Sequence, residues 1–298
     1  MRVLLAGASG MIGSELRSQL DAAGHDTRRL VRREPAAPDE FSWNPAERSV
    51  TVDLFEWADG VINLSGSSLQ HLPWTRATKR RILSSRLQAT GTLAEGMRRA
   101  AQPPAVFVSG SAVGYYGDRP GQQLTESAGK GTGFLADVVD SWEAAARLAP
   151  SATRVVLART GVVIGRGGAL APLLPLAKAG LAGPLGSGRQ HWPWISLHDE
   201  AAALVHLLGS TLDGPVNLAG PTPATAGELV KALTQAVRRP YFLPVPRFAI
   251  ELALQDAGRE LLLADQLVVP QRLLDDGFEF RDRTVQDAMD RLMEVRAA

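Results

Sequence analysis

Three glycines, each three residues from the next, follow the first apolar run of the chain. The run "RVLLA" (2–6) has the pattern of a buried strand, and Gly7, Gly10 and Gly13 come directly after it. Apolar residues then recur at helical spacing as far as Ala23, so the glycines lie where a strand turns into a helix. The first glycine permits a tight turn, the second lets the backbone approach a pyrophosphate, and the third lets helix and strand pack closely. The pattern therefore predicts the dinucleotide-binding turn of a Rossmann fold, with phosphate at the helix N-terminus.

Apolar strand patterns continue to alternate with helical patterns through the first half of the chain. Four more strands are predicted at 26–33, 59–66, 104–110 and 153–161. Long helices are predicted between them at 74–100 and 134–148. Parallel strands need crossover helices, and these helices cover both faces of the sheet. We therefore predict the α/β class: a doubly wound parallel sheet (Rossmann) with a smaller, mostly helical C-terminal lobe.

The boundary of that lobe follows from a change in composition after about residue 165, where glycine and proline become dense. We predict a dinucleotide-binding domain over 1–165 and a substrate-side lobe over 166–298. A short apolar run at 215–220 is expected to return to the main sheet. The other elements predicted in the lobe are helices at 169–180, 199–210 and 225–237 and a mostly helical tail at 246–298.

Composition excludes several classes of function. A net charge of +1 over 298 residues gives no reason to expect a nucleic acid or an acidic membrane as partner. The absence of cysteine excludes disulfides, thiolate catalysis and cysteine-bound metals, and the five histidines lack ligand spacing. No apolar run reaches the ~20 residues that span a bilayer, and the N-terminus lacks a signal-peptide pattern. We expect a cytoplasmic protein with a small-molecule substrate and without metal, nucleic-acid or membrane binding; its oligomeric state stays open.

Two arginines at the end of the second predicted strand bear on the choice of nucleotide. An acidic residue about 20 positions past the last glycine would bind the ribose 2′-hydroxyl of NAD. Arg32 and Arg33 occupy that place, and a guanidinium suits a 2′-phosphate by charge and by geometry. The sequence therefore favours NADP(H) over NAD(H). The alternative is that the arginines form a solvated basic face and Glu34 holds the ribose.

At this point the chain resembles the short-chain dehydrogenase/reductase superfamily in its extended or atypical form. "GASGMIG" (7–13), "INLSG" (62–66) and the serines at 109–111 occur in that superfamily's order. More narrowly, the chain resembles the epimerase-like subfamily that includes YfcH/SulA-type and SDR39U-type proteins. The matching stretches are "PWTRATKRRILSSR" (73–86), "GYYGD" (114–118), "RTGVVIGRGG" (159–168), "GPLGSGRQHWPWISLHD" (183–199) and "VVPQRLLDDGFEFR" (268–281).

The resemblance implies a set of cofactor contacts at the carboxyl ends of the strands, where ligands lie in parallel sheets. It also implies an NADP(H)-dependent oxidoreductase or an enzyme like the nucleotide-sugar epimerases, acting on a small molecule. The alternative is a catalytically inactive NADP(H)-binding regulator or scaffold, because some relatives are linked with cell or plastid division. The cofactor residues it implies are Gly7, Ala8, Ser9, Gly10, Met11, Ile12, Gly13, Arg32, Leu64, Ser65, Arg86, Ser109 and Val163.

The catalytic pair of the superfamily is absent from this chain. Its members use a serine or threonine together with a tyrosine that is followed four residues later by lysine. An ordinary tyrosine, with a pKa of about 10, is a poor base at neutral pH, and the lysine ammonium favours the phenolate. None of Tyr115, Tyr116 and Tyr241 has a lysine at that spacing, and Phe134 lies close to the expected tyrosine. Ser111 matches the superfamily's serine.

Three interpretations remain open for the chemistry. In the first, Tyr115 or Tyr116 replaces the missing tyrosine, with Arg119 or Lys130 as the nearby cation. In the second, a group of the segment 183–199 supplies the proton. In the third, the protein binds NADP(H) and catalyses nothing. A histidine would titrate near neutral pH, and the candidates in that segment are His191, His198 and Asp199. We predict Ser111 and Tyr116 as catalytic residues. The predicted substrate contacts are Tyr115, Arg189, His191 and Trp194, the last paired with Trp192 on one face of an extended segment.

Overall fold

The computed structural model describes residues 1–294 and contains a seven-stranded parallel sheet. Seven of the eleven described strands form this sheet. The eleven are β1 (Arg2–Ala6), β2 (Asp26–Val31), β3 (Glu40–Ser42), β4 (Gly60–Asn63), β5 (Val106–Ala112), β6 (Gln123–Leu124), β7 (Arg154–Thr160), β8 (Val162–Ile164), β9 (Trp194–Ser196), β10 (Gly214–Leu218) and β11 (Leu267–Val268). The order in the main sheet is β10-β7-β5-β4-β1-β2-β3. Two short parallel pairs, β6 with β11 and β8 with β9, lie outside it.

Ten α-helices connect and cover these strands in the described part of the chain. They are α1 (Met11–Ala22), α2 (Asp53–Trp57), α3 (Arg76–Arg99), α4 (Phe134–Ala146), α5 (Leu173–Lys178), α6 (Leu197–Gly209), α7 (Ala226–Ala236), α8 (Arg247–Leu254), α9 (Gln271–Asp275) and α10 (Val285–Glu294). A 3₁₀ turn, Val113–Tyr116, continues β5, and a π-helical segment, Gly258–Leu263, follows α8. No helix in residues 1–294 has the length and hydropathy that crossing a membrane requires.

The main sheet is covered on both faces, which confirms the predicted doubly wound class. Successive side chains of a strand point to opposite faces, so both faces of a buried parallel strand are apolar. In β1, Val3 and Leu5 pack in one core with helices α1 and α6, whereas Leu4 packs in another with α2 and α3. A parallel sheet of this order has its topological switch between β1 and β4, where ligands bind beyond the carboxyl ends of the strands.

The C-terminal part of the chain has an apolar core of its own and also contributes to the main sheet. α7 and α10 pack on each other in a cluster with Trp192 and Trp194. β10 pairs in parallel with β7 at the edge of the main sheet. Thr225 and Glu228 form a reciprocal capping box that sets the start of α7. The division into lobes at residue 165 stays a prediction, and residues 295–298 of the predicted helical tail lie outside the described residues.

Candidate functional site

The glycine turn after β1 contains two glycines that the fold itself requires and one that it does not. Gly7 has a φ of +89°, and a Cβ there would lie 2.7 Å from the carbonyl carbon of Leu64. A Cβ on Gly13 would collide with the carbonyl oxygen of Gly7. By contrast, a Cβ on Gly10 would have its nearest heavy neighbour at 3.6 Å, an ordinary contact. The open space in front of Gly10 fits a ligand that approaches the backbone closely.

The first turn of α1 contains no acidic residue. Gly10 is the N-cap, and no side chain of residues 1–294 caps the helix. The first amides of an α-helix lack partners within the helix, and they carry a partial positive charge. Met11 and Ile12 therefore present donors beside the open face of Gly10, which is the arrangement that binds a pyrophosphate.

The two arginines that follow β2 have different environments. Arg33 forms a two-pronged ion pair with Glu40, in which both N···O distances are 2.7 Å. The hydrogen bonds from Arg33, that from the Ala36 amide and the charge of Arg29 lower the pKa of Glu40 to about 2. Arg32 is exposed and forms no ion pair within residues 1–294. It directly follows β2, the neighbour of β1, so it is the arginine left available for an anion beyond this edge of the sheet.

The end of β4 forms the opposite wall of the turn. Leu64 packs its carbonyl against Gly7, and the Ser65 amide donates to Oδ1 of Asn63 over 3.0 Å. The Asn63 side chain is itself fixed, because its Nδ2 donates to Oγ1 of Thr90 in α3 over 2.9 Å. Asn63 is fully buried, so its hydrogen bonds hold the backbone at residues 64 and 65 in one position.

Arg86 of α3 is a largely buried cation without an acidic partner in the described part of the chain. Its guanidinium donates to the carbonyl oxygens of Ser67 and Ile82 and lies 5.0 Å from the ring of Trp142. Burial lowers the pKa of Arg86 to about 10. Desolvation of an unpaired charge is unfavourable, and an anionic or strongly hydrogen-bonding ligand would offset it. This placement beside the loop after β4 fits the predicted cofactor contact.

The segment after β8 closes the same edge of the sheet. Val163 is buried in β8 and pairs in register with Ile195 of β9. A Cβ on Gly165 would lie 2.7 Å from Sδ of Met11, the first residue of α1. The strand end at 163–165 therefore reaches the glycine turn, although the two lie about half the chain apart in sequence.

Ser111 and Tyr116 belong to a buried polar network on the face of the sheet that α4 covers. The Ser111 hydroxyl donates to Oε1 of Glu143 over 2.7 Å, and Arg159 holds both oxygens of that carboxylate at 2.8 and 3.0 Å. The Tyr116 hydroxyl donates to Oδ1 of Asn217 over 2.7 Å and accepts from Arg159 over 3.0 Å. Glu143, Arg159 and Asn217 were missed from the sequence, because nothing in their spacing indicates that four separate elements meet.

A catalytic role of Tyr116 does not fit this geometry. Its side chain has no solvent-exposed area, and both hydrogen-bonding directions of its hydroxyl are occupied by protein groups. Burial raises the pKa of Tyr116, although the hydrogen bond and charge of Arg159 act in the opposite direction. The site around Ser111 is also closed, since Ser111 is 4% exposed. Ser109 is fully buried, and its hydroxyl donates to the carbonyl oxygen of Gly110 over 3.2 Å.

Unlike Tyr116, Tyr115 has no hydrogen-bond partner for its hydroxyl among the described residues. Its side chain is half-buried, and the guanidinium of Arg159 lies 3.6 Å from the centre of its ring. The cations that were predicted to assist it are engaged elsewhere. Lys130 pairs with Asp137 over 2.6 Å, and Arg119 donates to the carbonyl oxygens of residues 129 and 130.

The start of α4, close to which the superfamily's tyrosine is expected, is apolar in this protein. Phe134 begins α4 and packs edge-to-face on Trp74, with ring centres 5.6 Å apart. Val138, four residues later, lies in the same apolar cluster. The ammonium of Lys79 lies 5.0 Å from the centre of the Phe134 ring and pairs with Asp256. The region close to the expected tyrosine is therefore held by apolar packing.

The predicted substrate contacts in the segment 183–199 differ in burial and in hydrogen-bond partners. Trp194 stays a prediction as a substrate contact: its side chain is 1% exposed, and its Nε1 donates to the carbonyl oxygen of Thr222 over 2.8 Å. Arg189 is exposed. His191 is half-buried and forms a hydrogen bond through Nδ1 with Asp265 over 2.8 Å, which leaves Nε2 without a partner among residues 1–294. Trp192 is buried with Trp194 in the C-terminal core.

The other two candidates for proton transfer in the segment 183–199, His198 and Asp199, form hydrogen bonds with other parts of the protein. His198 forms a hydrogen bond with Gln19 of α1 over 3.1 Å. Asp199 is buried and accepts the backbone amides of Arg281 and Asp282, each over 3.0 Å. It therefore holds the segment before α10 against the start of α6.

The next residue, Glu200, is a buried acid that the sequence did not single out. It is fully buried, accepts a hydrogen bond from the Thr160 hydroxyl over 2.7 Å, and has no partner for Oε2 in the described structure. Burial raises the pKa of Glu200 to about 8, against the smaller opposite effect of Thr160. It lies beside the last residue of β7, so the carboxyl edge of the sheet contains a carboxyl group that is largely protonated at neutral pH.

The fold and the glycine turn together define a Rossmann protein with a site for a nicotinamide dinucleotide. The particular family follows from comparison with known proteins. The chain belongs to the NAD dependent epimerase/dehydratase family, whose model matches residues 3–219. A second model, a domain of unknown function (DUF1731), matches residues 245–292. Within the family the chain is an atypical, epimerase-like short-chain dehydrogenase/reductase, as its sequence motifs predicted.

The relatives match this chain over nearly its whole length. Epimerase family protein Mb2239 of Mycobacterium bovis is 41% identical over 290 residues, which are 96% of each chain. Human epimerase family protein SDR39U1 is 35% identical over 285 residues, with 94% of this chain and 95% of the relative covered. The crystal structure of human SDR39U1 (isoform 2) with NADPH superposes with a TM-score of 0.90 at 32% identity and covers 99% of both chains.

Proposed function

We propose that this protein binds NADP(H) in preference to NAD(H) and uses it for hydride transfer with a small-molecule substrate. The observation that carries the cofactor preference is the difference between two neighbouring arginines. Arg33 is neutralised by Glu40, whereas Arg32 has no acidic partner in residues 1–294 and lies at the end of β2. The crystal structure of human SDR39U1 with NADPH supports the same cofactor.

Each part of the proposed site suits a different part of a dinucleotide phosphate. The open face of Gly10 and the first amides of α1 would hold the pyrophosphate, and Arg32 would hold the 2′-phosphate. The backbone at Leu64 and Ser65 would line the ribose side. NADP(H), when bound, supplies the hydride, and the protein has to move the accompanying proton at a substrate oxygen.

The cofactor preference is tested by the ratio of NADPH to NADH affinity, measured by isothermal titration calorimetry. In Arg32→Ala we expect this ratio to fall about tenfold or more, because a charge-assisted hydrogen bond contributes about 1.5–3 kcal/mol. Arg283→Ala is the matched control: Arg283 is also exposed and has no ion pair among the described residues. An unchanged ratio in Arg32→Ala would refute the assignment.

Two side chains remain as the groups that we propose for proton transfer. The Tyr115 hydroxyl and Nε2 of His191 have no hydrogen-bond partner in the described part of the protein. We expect Tyr115→Phe or His191→Ala to lower turnover about 100-fold or more, the usual effect of removing a general acid. Tyr241→Phe is the control, since it changes the third tyrosine. A panel of sugars, aldehydes and ketones with NADPH oxidation as readout provides the assay.

A second candidate function is a cofactor-dependent regulator without turnover. The observation that favours it is the closed environment of the superfamily's catalytic positions. The Ser111 hydroxyl donates to Glu143, and Phe134, which lies close to the expected tyrosine, belongs to an apolar cluster. Tight NADPH binding, together with no substrate-dependent oxidation over the whole panel, would support the regulator and contradict hydride transfer.

A further inference from the structure

The short helix α8 exposes a stripe of large apolar side chains. Phe248 and Leu252 lie one helical turn apart, so they share a face, and they are 71% and 81% exposed. Ile250, on the other side of the helix, is buried in the C-terminal core. Isolated exposed apolar residues are ordinary, but two large ones on adjacent turns form the centre of a patch.

Three more large apolar side chains are exposed in the segment before α8 and in the segment that it pairs with. Phe242 is 64% exposed and Leu243 is 42% exposed. The Phe242 amide donates to the carbonyl oxygen of Ala182, which places it next to Leu181, itself 50% exposed. We call these five side chains the α8 patch; its members are Leu181, Phe242, Leu243, Phe248 and Leu252.

A charged pair flanks the apolar stripe on one side. Arg247 and Glu251 each precede a member of the stripe by one residue, and Nε of Arg247 lies 2.8 Å from Oε1 of Glu251. In an antiparallel pair of helices related by a two-fold axis, flanking side chains on the same side of both helices face each other. Phe248 would then pack on Leu252 of the second copy, and Arg247 would face Glu251 of the second copy. The charges that flank the stripe on α8 are therefore complementary across such an axis.

The exposed area is large enough for a specific dimer. At about 200 Å² for a large side chain, the α8 patch exposes about 600 Å² per copy, or about 1,200 Å² for two copies. This total reaches the lower end of the range for specific protein–protein interfaces. The net charge of +1 adds little repulsion between copies. We propose that the α8 patch is the interface of a two-fold symmetric homodimer.

The first test compares variants of two exposed leucines by sedimentation velocity over concentrations from about 1 to about 100 µM. We expect the wild-type protein to form dimers in this range. Leu252→Arg places two like charges at the centre of the interface, and we expect dimerisation to weaken about tenfold or more. Leu274→Arg changes a leucine that is 42% exposed outside the patch, and this variant should dimerise as the wild type does.

The second test reverses the charges beside the stripe. Arg247→Glu or Glu251→Arg alone should weaken the dimer, because each creates like-charge contacts across the two-fold axis. The double variant Arg247→Glu/Glu251→Arg restores opposite charges both within α8 and across the axis, so we expect dimerisation to recover. Circular dichroism and NADPH affinity verify that each variant is folded.

Three results would overturn the proposal. The first is a wild-type protein that stays monomeric to about 100 µM. The second is a Leu252→Arg variant that dimerises as tightly as Leu274→Arg. The third is a monomeric wild type that floats with vesicles of phosphatidylcholine and phosphatidylglycerol and loses this binding in Leu252→Arg, which would assign the patch to a lipid surface.

Discussion

The buried acid Glu200 makes the stability of this protein depend on pH in a way that one substitution removes. Burial raises the pKa of Glu200 from its ordinary 4.5 to about 8 in the folded protein. At pH values between these two pKa values, Glu200 holds a proton in the folded protein that it has released in the unfolded protein. Stability therefore falls as pH rises through this window, and Glu200→Gln, which cannot ionise, abolishes that contribution.

The size of the effect follows from the width of the window. Each pKa unit corresponds to about 1.4 kcal/mol. Between about pH 5.5 and about pH 8.5 the wild-type protein should lose about 3 kcal/mol of unfolding free energy relative to Glu200→Gln. The amide of the variant itself lacks a partner beside the Oε2 position, which lowers its stability by a similar amount at both pH values. Only the difference between the two pH values reports the titration.

Urea unfolding of the cofactor-free protein, followed by tryptophan fluorescence, measures this difference. Several of the six tryptophans are buried, so their emission changes on unfolding; among them are Trp43, Trp142 and Trp192. Glu279→Gln is the matched control, because Glu279 is exposed and should give the same pH dependence as the wild type. If wild type and Glu200→Gln differ by the same free energy at both pH values, Glu200 does not titrate in this window and the reasoning is wrong.

Three further predictions concern the cofactor site and the buried network. Gly10→Ala should lower NADPH affinity about tenfold or more, measured by calorimetry, with about 1 kcal/mol or less of lost stability. Gly13→Ala should instead lower the free energy of unfolding by about 3 kcal/mol, measured in urea, because its Cβ collides with the Gly7 carbonyl oxygen. Arg86→Met should weaken NADPH binding while leaving the cofactor-free protein as stable or more stable, because it removes an unpaired buried charge; a large loss of stability would show that Arg86 is structural. Tyr116→Phe should cost about 1–3 kcal/mol in urea unfolding by leaving the Asn217 side chain without its donor, and unchanged stability would contradict the network.

The order of strands and helices could be predicted because each element carries its own periodicity. The predicted helix at 74–100 corresponds to α3, Arg76–Arg99, and the predicted strand at 104–110 corresponds to β5, Val106–Ala112. The glycine turn was also readable, because a Cβ on Gly13 would meet Gly7 and Ala8 of the same turn, so this steric limit is local. Short pairings such as β6 with β11 have only two residues a strand and leave no periodic signal.

Side-chain partners in the site could not be predicted, since they depend on which elements meet. Tyr116 was expected to be catalytic on its position after β5, yet Asn217 and Arg159 occupy its hydroxyl from β10 and β7. Trp194 was expected beside a substrate, yet the C-terminal core buries it. These contacts join residues up to about a hundred positions apart, so no local pattern encodes them.

Sequence alone determined the class of fold and the position of the dinucleotide turn, because these depend on periodicity and local sterics, and its motifs carried the resemblance to the family. Only the tertiary structure decided which charged side chains are paired with one another. Arg32 and Arg33 are the same residue type at adjacent positions, and only the approach of Glu40 from β3 neutralises one and leaves the other available. Likewise Glu200 is an ordinary acid in the sequence, and its raised pKa arises from the packing that removes water around it.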